Sequence, residues 1–338
     1  MREREEPGGS RSLFEAGGEM IALYVFLGSL VSGVLMLALV WRLLSSERLS
    51  RINYRGVKLP TAAGVVLAPA FLLVWLVTVD YAARHLADDA RFTNNNFHSL
   101  NAGMNAMLII VLGFCLLGLL DDVAGDSSAR GFKGHLSEAL HGRFTTGLVK
   151  AFLGFVVALV ALHALLVTGG RLTFQIYGEW VMDAAVIALA ANFFNLLDLR
   201  PGRALKVFFP ALGLCAGLTL RLEGVGGAII PPVYAPLYFY MTPALAVAAI
   251  ALVLLPGDLR EKFMMGDAGS NVLGAVIGLG LVMGTSFWWR LGVLVLLLIL
   301  NGLAEIFSFS EIIASNRVLH WLDSLGRKGQ ASAGANNN

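Results

Sequence analysis

The chain has 338 residues, of which 57% are hydrophobic and only 14% charged, against roughly 45–50% and 25% in an ordinary soluble domain. That balance excludes a water-soluble globular protein, and a net charge of +2 gives no reason to expect nucleic acid as a partner. Cys115 and Cys215 both lie within apolar runs, which argues against a disulfide framework and leaves too few ligands for a cysteine metal site.

Residues 1–20 carry charges of both signs and read as a flexible N-terminal segment. The apolar stretch that follows is longer than a signal-peptide core and lacks a small-residue cleavage pattern, so the first span is expected to be retained. Apolar runs fall near 21–41, 62–82, 102–120, 148–168, 181–197, 204–222, 236–255, 272–288 and 291–307. Each approaches the ~20 residues that cross a hydrocarbon core, the fifth and eighth being somewhat short. The expected fold is therefore all-α: a polytopic integral membrane helical bundle of about nine transmembrane helices within 21–308. Glycines recur inside the runs, where small residues let helix backbones approach closely, and a homodimer through such faces is a further expectation.

Pro231, Pro232, Pro236 and Pro243 predict a broken or re-entrant piece at the start of the seventh span. After the ninth, Ile312, Leu319, Leu322 and Leu325 recur at roughly helical spacing among charged residues. This predicts a C-terminal amphipathic interfacial helix over 309–327, followed by a disordered tail at 328–338. If the spans alternate, 17 of the 25 Lys and Arg residues fall on one side, which makes that side cytoplasmic. The N-terminus is then outside and the C-terminus in the cytoplasm. Asp88 and Asp89, in the longest outside loop, read as a solvated pair.

Four polar clusters fall on the cytoplasmic side. They are GVKLPTAAG from Gly56, with Lys58; GLLDDVAGDSSARGFKGH, with Asp121, Asp122 and Lys133; ANFFNLLDLRPGRALK, with Asn192, Asn195 and Asp198 at i, i+3 and i+6; and FMMGDAGSNVLG, with Asp267 and Asn271. Any one of these aspartates alone reads as a helix terminus or cap. Together, on separate segments at one membrane face, they become functional candidates, because ionisable groups at spanning helices are expensive unless paired, solvated or coordinating. Carboxylate clusters suit Mg²⁺, which completes its shell with water and substrate phosphates. Lys133, Arg200, Arg203 and Lys206 supply cations for phosphate oxygens. Metal, acids and cations form a kit for phosphoryl transfer. Asn192 and Asn195 read equally as interhelical hydrogen-bonding residues, Glu305 as the same or as a site residue, and His163 as a packed or interfacial group. His135, His141 and His320 show no metal-ligand spacing.

KLPTAAG, GLLDDVAG with the downstream KGH, NFFNLLD and MGDAGSNVLG, in this order between about Arg51 and Leu279, resemble the polyprenyl-phosphate N-acetylhexosamine-1-phosphate transferases. The resemblance implies a bacterial cytoplasmic-membrane enzyme of cell-wall or surface-glycan synthesis. Such an enzyme uses Mg²⁺ to move a sugar-1-phosphate from a UDP-sugar to a polyprenyl phosphate, releasing UMP at a site open to the cytoplasm. It implies that Asp121 and Asp122 handle the lipid phosphate, that Asp267 binds Mg²⁺, and that Asp198 is an essential acid and second metal ligand. The substrate-binding set that accompanies it is Lys58, Lys133, Asn192, Asn195, Arg200, Arg203, Lys206 and Asn271.

The chain departs from that pattern in three places. LRPGRALK replaces the acidic, Gly-rich continuation usual after Asp198, which puts specificity or activity in question. The histidine-rich loop of the muramoyl-pentapeptide enzyme is missing, which argues against that substrate, and the usual tenth span is absent. Two other readings stand beside the transferase. One is a noncatalytic homologue that binds a lipid, nucleotide or partner; the other is a transporter, which the one-sided acids and the lack of a repeat disfavour.

Overall fold

The computed structural model describes residues 8–85, 94–124, 146–169, 174–221 and 240–327. Lys133, His135, His141, Asp88, Asp89, the prolines from Pro231 to Pro236, and the tail at 328–338 lie outside the described residues.

The described chain is almost entirely helical. In order it forms α1 (Gly8–Leu44), a short antiparallel ribbon of β1 (Ser50–Ile52) and β2 (Lys58–Pro60), α2 (Leu67–His85), α3 (Asn94–Ala124), α4 (Thr146–Gly169), α5 (Phe174–Leu197) and α6 (Arg203–Arg221). Then come α7 (Thr242–Leu259), α8 (Asp267–Met283), α9 (Phe287–Leu303) and two short helices, α10 (Phe309–Ser315) and α11 (Arg317–Ser324). Six described stretches are long and apolar enough to cross a membrane: Met20–Leu44, Ala63–His85, Leu100–Val123, Gly147–Leu165, Gly178–Leu197 and Thr242–Leu259. The helices α8 and α9 are apolar but shorter. An all-α, membrane-type bundle is the result.

Its axis is α8, in which every residue except Asp267 and Leu281 is buried. It packs on α5 and α3 most extensively and on α6 beside them. The approach to α5 is close because Gly274 lies against the backbone of Ala190 and Ala191, and a Cβ there would overlap the Ala190 carbonyl. Small residues serve this way in bilayers, where lipid tails are as apolar as leucine and helix association depends on contact and hydrogen bonding. Around this axis α1 packs on α7 and α2, α3 on α4, and α9 on α5. The surface left over is greasy: Leu23, Val31 and Leu39 on α1, and Leu296, Leu298 and Ile299 on α9, are all exposed. In water such a surface would be a severe aggregation liability; against lipid it is the expected exterior.

The C-terminal helix expected over 309–327 is two helices. Asn316 leaves the helical region and its side-chain Oδ1 accepts from the N–H groups of Val318 and Leu319 at 3.0 and 3.1 Å. An asparagine that satisfies the first free amides of a new helix competes with continuation of the old one.

Candidate functional site

One end of the bundle gathers all four polar segments. The stretch after β2 and the stretch before α8 are laced together: Met264 N–H donates to the Pro60 carbonyl at 2.8 Å, Ala63 N–H to Met264 at 3.1 Å and Gly64 N–H to Met265 at 2.9 Å. This brings KLPTAAG against MMGDAG. Gly266 then turns the chain into α8 with φ +70°, and a Cβ there would sit 2.8 Å from Asp122 Oδ2. Glycine is required twice over, for the left-handed backbone and for the space.

Asp122 explains that crowding. Its Oδ1 and Oδ2 accept from the N–H groups of Asp267 and Ala268 at 3.1 and 3.0 Å, so a carboxylate of α3 caps the N-terminus of α8. Orphan amides and the positive end of the helix dipole both favour an anion at that point. Gly118, one turn earlier on α3, allows the approach, since a Cβ there would overlap the Asp267 carbonyl. On the other side Arg51 of β1 donates to the Asp122 carbonyl at 3.1 Å.

Asp121 and Asp267 instead converge on one cation. Lys150 of α4 lies 3.1 Å from Asp121 Oδ2 and in direct contact with Asp267 Oδ2. Asn195 of α5 donates to the same Asp267 oxygen at 3.0 Å, and the Ser270 hydroxyl stands 3.2 Å from Asn195 Oδ1. Asn271 turns back along its own helix, donating to the Asp267 carbonyl at 2.6 Å.

Asp198 follows the end of α5, its N–H donating to the Asn195 carbonyl at 3.1 Å. Burial raises its carboxyl well above the ordinary carboxylate range, and the nearby Asp258, Asp267 and Asp122 carboxylates add to the effect. A small cavity lined by Asn53, Tyr54, Asp198, Leu199, Arg200, Pro201, Asp258 and Met264 opens beside it. The Arg200 guanidinium lies 4.0 Å from the Tyr54 ring centroid, a cation–π stack at the cavity's edge. Asp258, at the end of α7, is buried and accepts from the Gly202 N–H at 2.7 Å.

The other expected residues lie elsewhere. Lys58 faces Glu47 at 3.7 Å on the exposed ribbon. Asn192 donates to Asn301 Oδ1 at 2.7 Å, and Asn301 donates on to the Leu297 carbonyl, so this pair joins α5 to α9. Glu305 is exposed. Arg203 and Lys206 turn to the C-terminal helices. Arg203 makes a two-pronged pair with Asp323 at 2.9 and 3.0 Å and also donates to Ser310 at 3.0 Å. Lys206 donates to the carbonyls of Asp323 and Leu325 at 2.5 and 2.9 Å.

Sequence reasoning missed Lys150, Asp258 and Asp323. Lys150 carried a usable signal: a lone lysine inside the apolar run TGLVKAFLG is expensive in a membrane and demands a partner. Asp258, in LLPGDLR, reads as an ordinary helix end, and nothing local ties Asp323 to a residue 120 positions away.

Among the described residues no group of three or more His, Cys, Asp or Glu is placed to hold a metal ion. Mg²⁺ commonly takes only one or two carboxylates, with phosphates and water completing the shell. Asp121 and Asp267 are the two carboxylates that could serve in this way, since both turn to the Lys150 ammonium.

No protein-family model matches the chain, and no curated protein matches it.

Proposed function

We propose that the chain is a membrane-embedded phosphoglycosyltransferase that moves a sugar-1-phosphate, N-acetylhexosamine-1-phosphate in the first instance, from a UDP-sugar to undecaprenyl or another polyprenyl phosphate. The observation that carries this reading is the meeting of Asp121, Lys150, Asn195 and Asp267, from α3, α4, α5 and α8, at one end of an apolar bundle. A soluble nucleotide and a lipid acceptor can meet only at such a border. The excess of Lys and Arg in the loops at this end supports a cytoplasmic orientation within a nine-span topology, N-terminus outside, and the resemblance to the transferases supports a bacterial inner membrane.

In the reaction an acceptor phosphate oxygen bonds to the sugar-linked phosphorus of the donor. The bond from that phosphorus to the oxygen shared with the nucleoside phosphate breaks, and UMP leaves. Two anions must approach, so the protein's task is chiefly electrostatic. Lys150 meets this need: its ammonium is already held between two carboxylates and stands ready to offset phosphate charge. Asp121 is the member of the DD pair suited to the lipid phosphate, since both oxygens of Asp122 are committed to α8. Asp267 and Asp121, with Asn195 beside them and Asp198 nearby, are the groups that would hold Mg²⁺, which supplies charge neutralisation at the phosphates. Arg200, at the edge of the cavity beside Asp198, supplies a further cation for the donor.

The test is purified protein with Mg²⁺, undecaprenyl phosphate and a panel of UDP-N-acetylhexosamines, measuring UMP. Release above an Asp267→Ala control supports the reading; none with any donor defeats it. A second reading, a noncatalytic lipid- or nucleotide-binding homologue, draws on a specific observation. Arg203 and Lys206, in the segment that departs from the transferase pattern, are spent on the C-terminal helices. It predicts Mg²⁺-dependent thermal stabilisation by a UDP-sugar with no UMP formed.

A further inference from the structure

The helix α11 has three differently equipped sides. Val318, Trp321 and Leu322 fall at i, i+3 and i+4, one stripe of the helix, and stand 65, 60 and 45% exposed, and Leu325, which follows the helix, is 42% exposed. Arg317, His320 and Ser324 occupy the polar side. Asp323, on the third side, faces the bundle and is clamped by Arg203 and by Arg327, whose Nη1 lies 2.9 Å from Asp323 Oδ2. Burial opposes ionisation at Asp323, yet these two guanidinium partners hold its pKa down at about 2.

The clamp closes on the segment that follows Asp198. Arg327 Nε donates to the Pro201 carbonyl at 2.9 Å, Lys206 reaches the carbonyls ending α11, and Arg203 spans Asp323 and Ser310. Phe309 adds an edge-on ring contact to Phe193 of α5 at 5.9 Å. The apolar stripe has no covering element among the described residues. Leu298 and Ile299 of α9, and Ile306 and Phe307 after it, are exposed as well, and only residues 304–308 separate α9 from α10, so the two short helices begin at the edge of the lipid-suited surface.

We propose that α10 and α11 form a strap docked on the bilayer surface, which buries the Val318, Trp321 and Leu322 stripe together with Leu325 and thereby holds Leu199–Lys206 in place beside Asp198. The occupant of the stripe is the headgroup and acyl boundary of the membrane that the bundle itself crosses, where an amphipathic helix lies in plane. LRPGRALK, which departs from the transferase pattern, is on this account the strap's anchor. Neither the docking nor the anchoring depends on the transferase reading.

The experiment uses the full chain in lipid nanodiscs and follows amide hydrogen exchange over residues 199–206. Asp323→Asn cuts the clamp, and Val318→Ser with Trp321→Ser weakens the membrane side without touching it. Both variants are expected to speed exchange of the Gly202, Arg203 and Lys206 amides at least about 10-fold while α8 stays protected. Unchanged exchange in either overturns the proposal. A nitroxide on Leu322→Cys, in an otherwise unaltered chain, reads docking even where a variant fails to fold. Preferential collision with oxygen over an aqueous nickel reagent is expected, and the reverse preference overturns the proposal.

Discussion

The two ends of α5 both carry charge into an apolar bundle, in opposite manners. Near its start, Asp183 and Glu179 meet Arg290 of α9 at 2.5 and 2.7 Å. Arg290 is only 1% exposed and Asp183 is buried with it, while the Glu179 side chain is 38% exposed, and among the described residues these contacts join α5 to α9. Past its other end, Asp121, Lys150, Asn195 and Asp267 come from four helices and remain partly accessible, and Asp267 acts electrostatically on Asp198, which lines the small cavity. The first arrangement is a closed lock between α5 and α9, with exposed Trp288 and Trp289 beside it as the kind of aromatic pair that sits at a membrane interface. The second draws Asp121 and Asp267, 26 and 25% exposed, to one lysine. Burial of charge is common to both ends, and the convergence of four helices on one lysine is particular to the second.

Breaking the lock should have the largest effect on stability. Arg290→Met strands Asp183 and Glu179 without their counter-ion, and a loss of about 3–5 kcal/mol is expected, measured by denaturant unfolding in detergent. Adding Asp183→Leu should recover much of it, while UMP release per folded molecule stays near wild type. Lys150→Met is the matching change at the open end, where the Asp121 and Asp267 side chains stay 26 and 25% exposed and water can reach them once the ammonium is gone, so a smaller stability loss than in Arg290→Met is expected. Its cost should fall on UMP release instead, by about 10²–10³-fold. An equal stability loss in the two variants would erase the distinction.

The C-terminal clamp gives a pH test. Asp323 is held at about 2, against about 3.9 in an unfolded chain. Its contribution is therefore full above about pH 4 and disappears as the pH falls through about 2. Mobility of a nitroxide at Leu322→Cys should be flat from pH 7 to 4 and rise below; Asp323→Asn should abolish that rise. The smallest effect belongs to Asn192→Leu, which removes one hydrogen bond between α5 and α9. A loss of about 0.6 kcal/mol is expected, typical of such bonds in bilayers, with UMP release unchanged.

Much of this was legible in the chain, because apolar length and one-sided polar motifs are local properties. The runs that became α2, α3 and α7 needed no tertiary information, and alternation of spans alone put Asp121, Asp198 and Asp267 at one end. What pairing decides was not legible. Arg203 and Lys206 have the chemistry of phosphate ligands, and only the fold reveals that Asp323 and two nearby carbonyls claim them. Asp121 and Asp122 are adjacent and identical in type, yet one turns to Lys150 and the other caps α8. Asn192 and Asn195 differ likewise, one spent on Asn301 and one on Asp267. A single turn of helix separates packing from site, and residue spacing does not record it.

The most direct test of the central claim, that the open end performs phosphoryl transfer, is mass-spectrometric detection of the lipid product. Wild type and Asp267→Ala would be incubated in nanodiscs with Mg²⁺, undecaprenyl phosphate and UDP-N-acetylhexosamines. The account predicts a polyprenyl diphosphate-linked sugar from the wild type and at least about 100-fold less from the variant; no product from the wild type with any donor, or equal amounts from both, would contradict it.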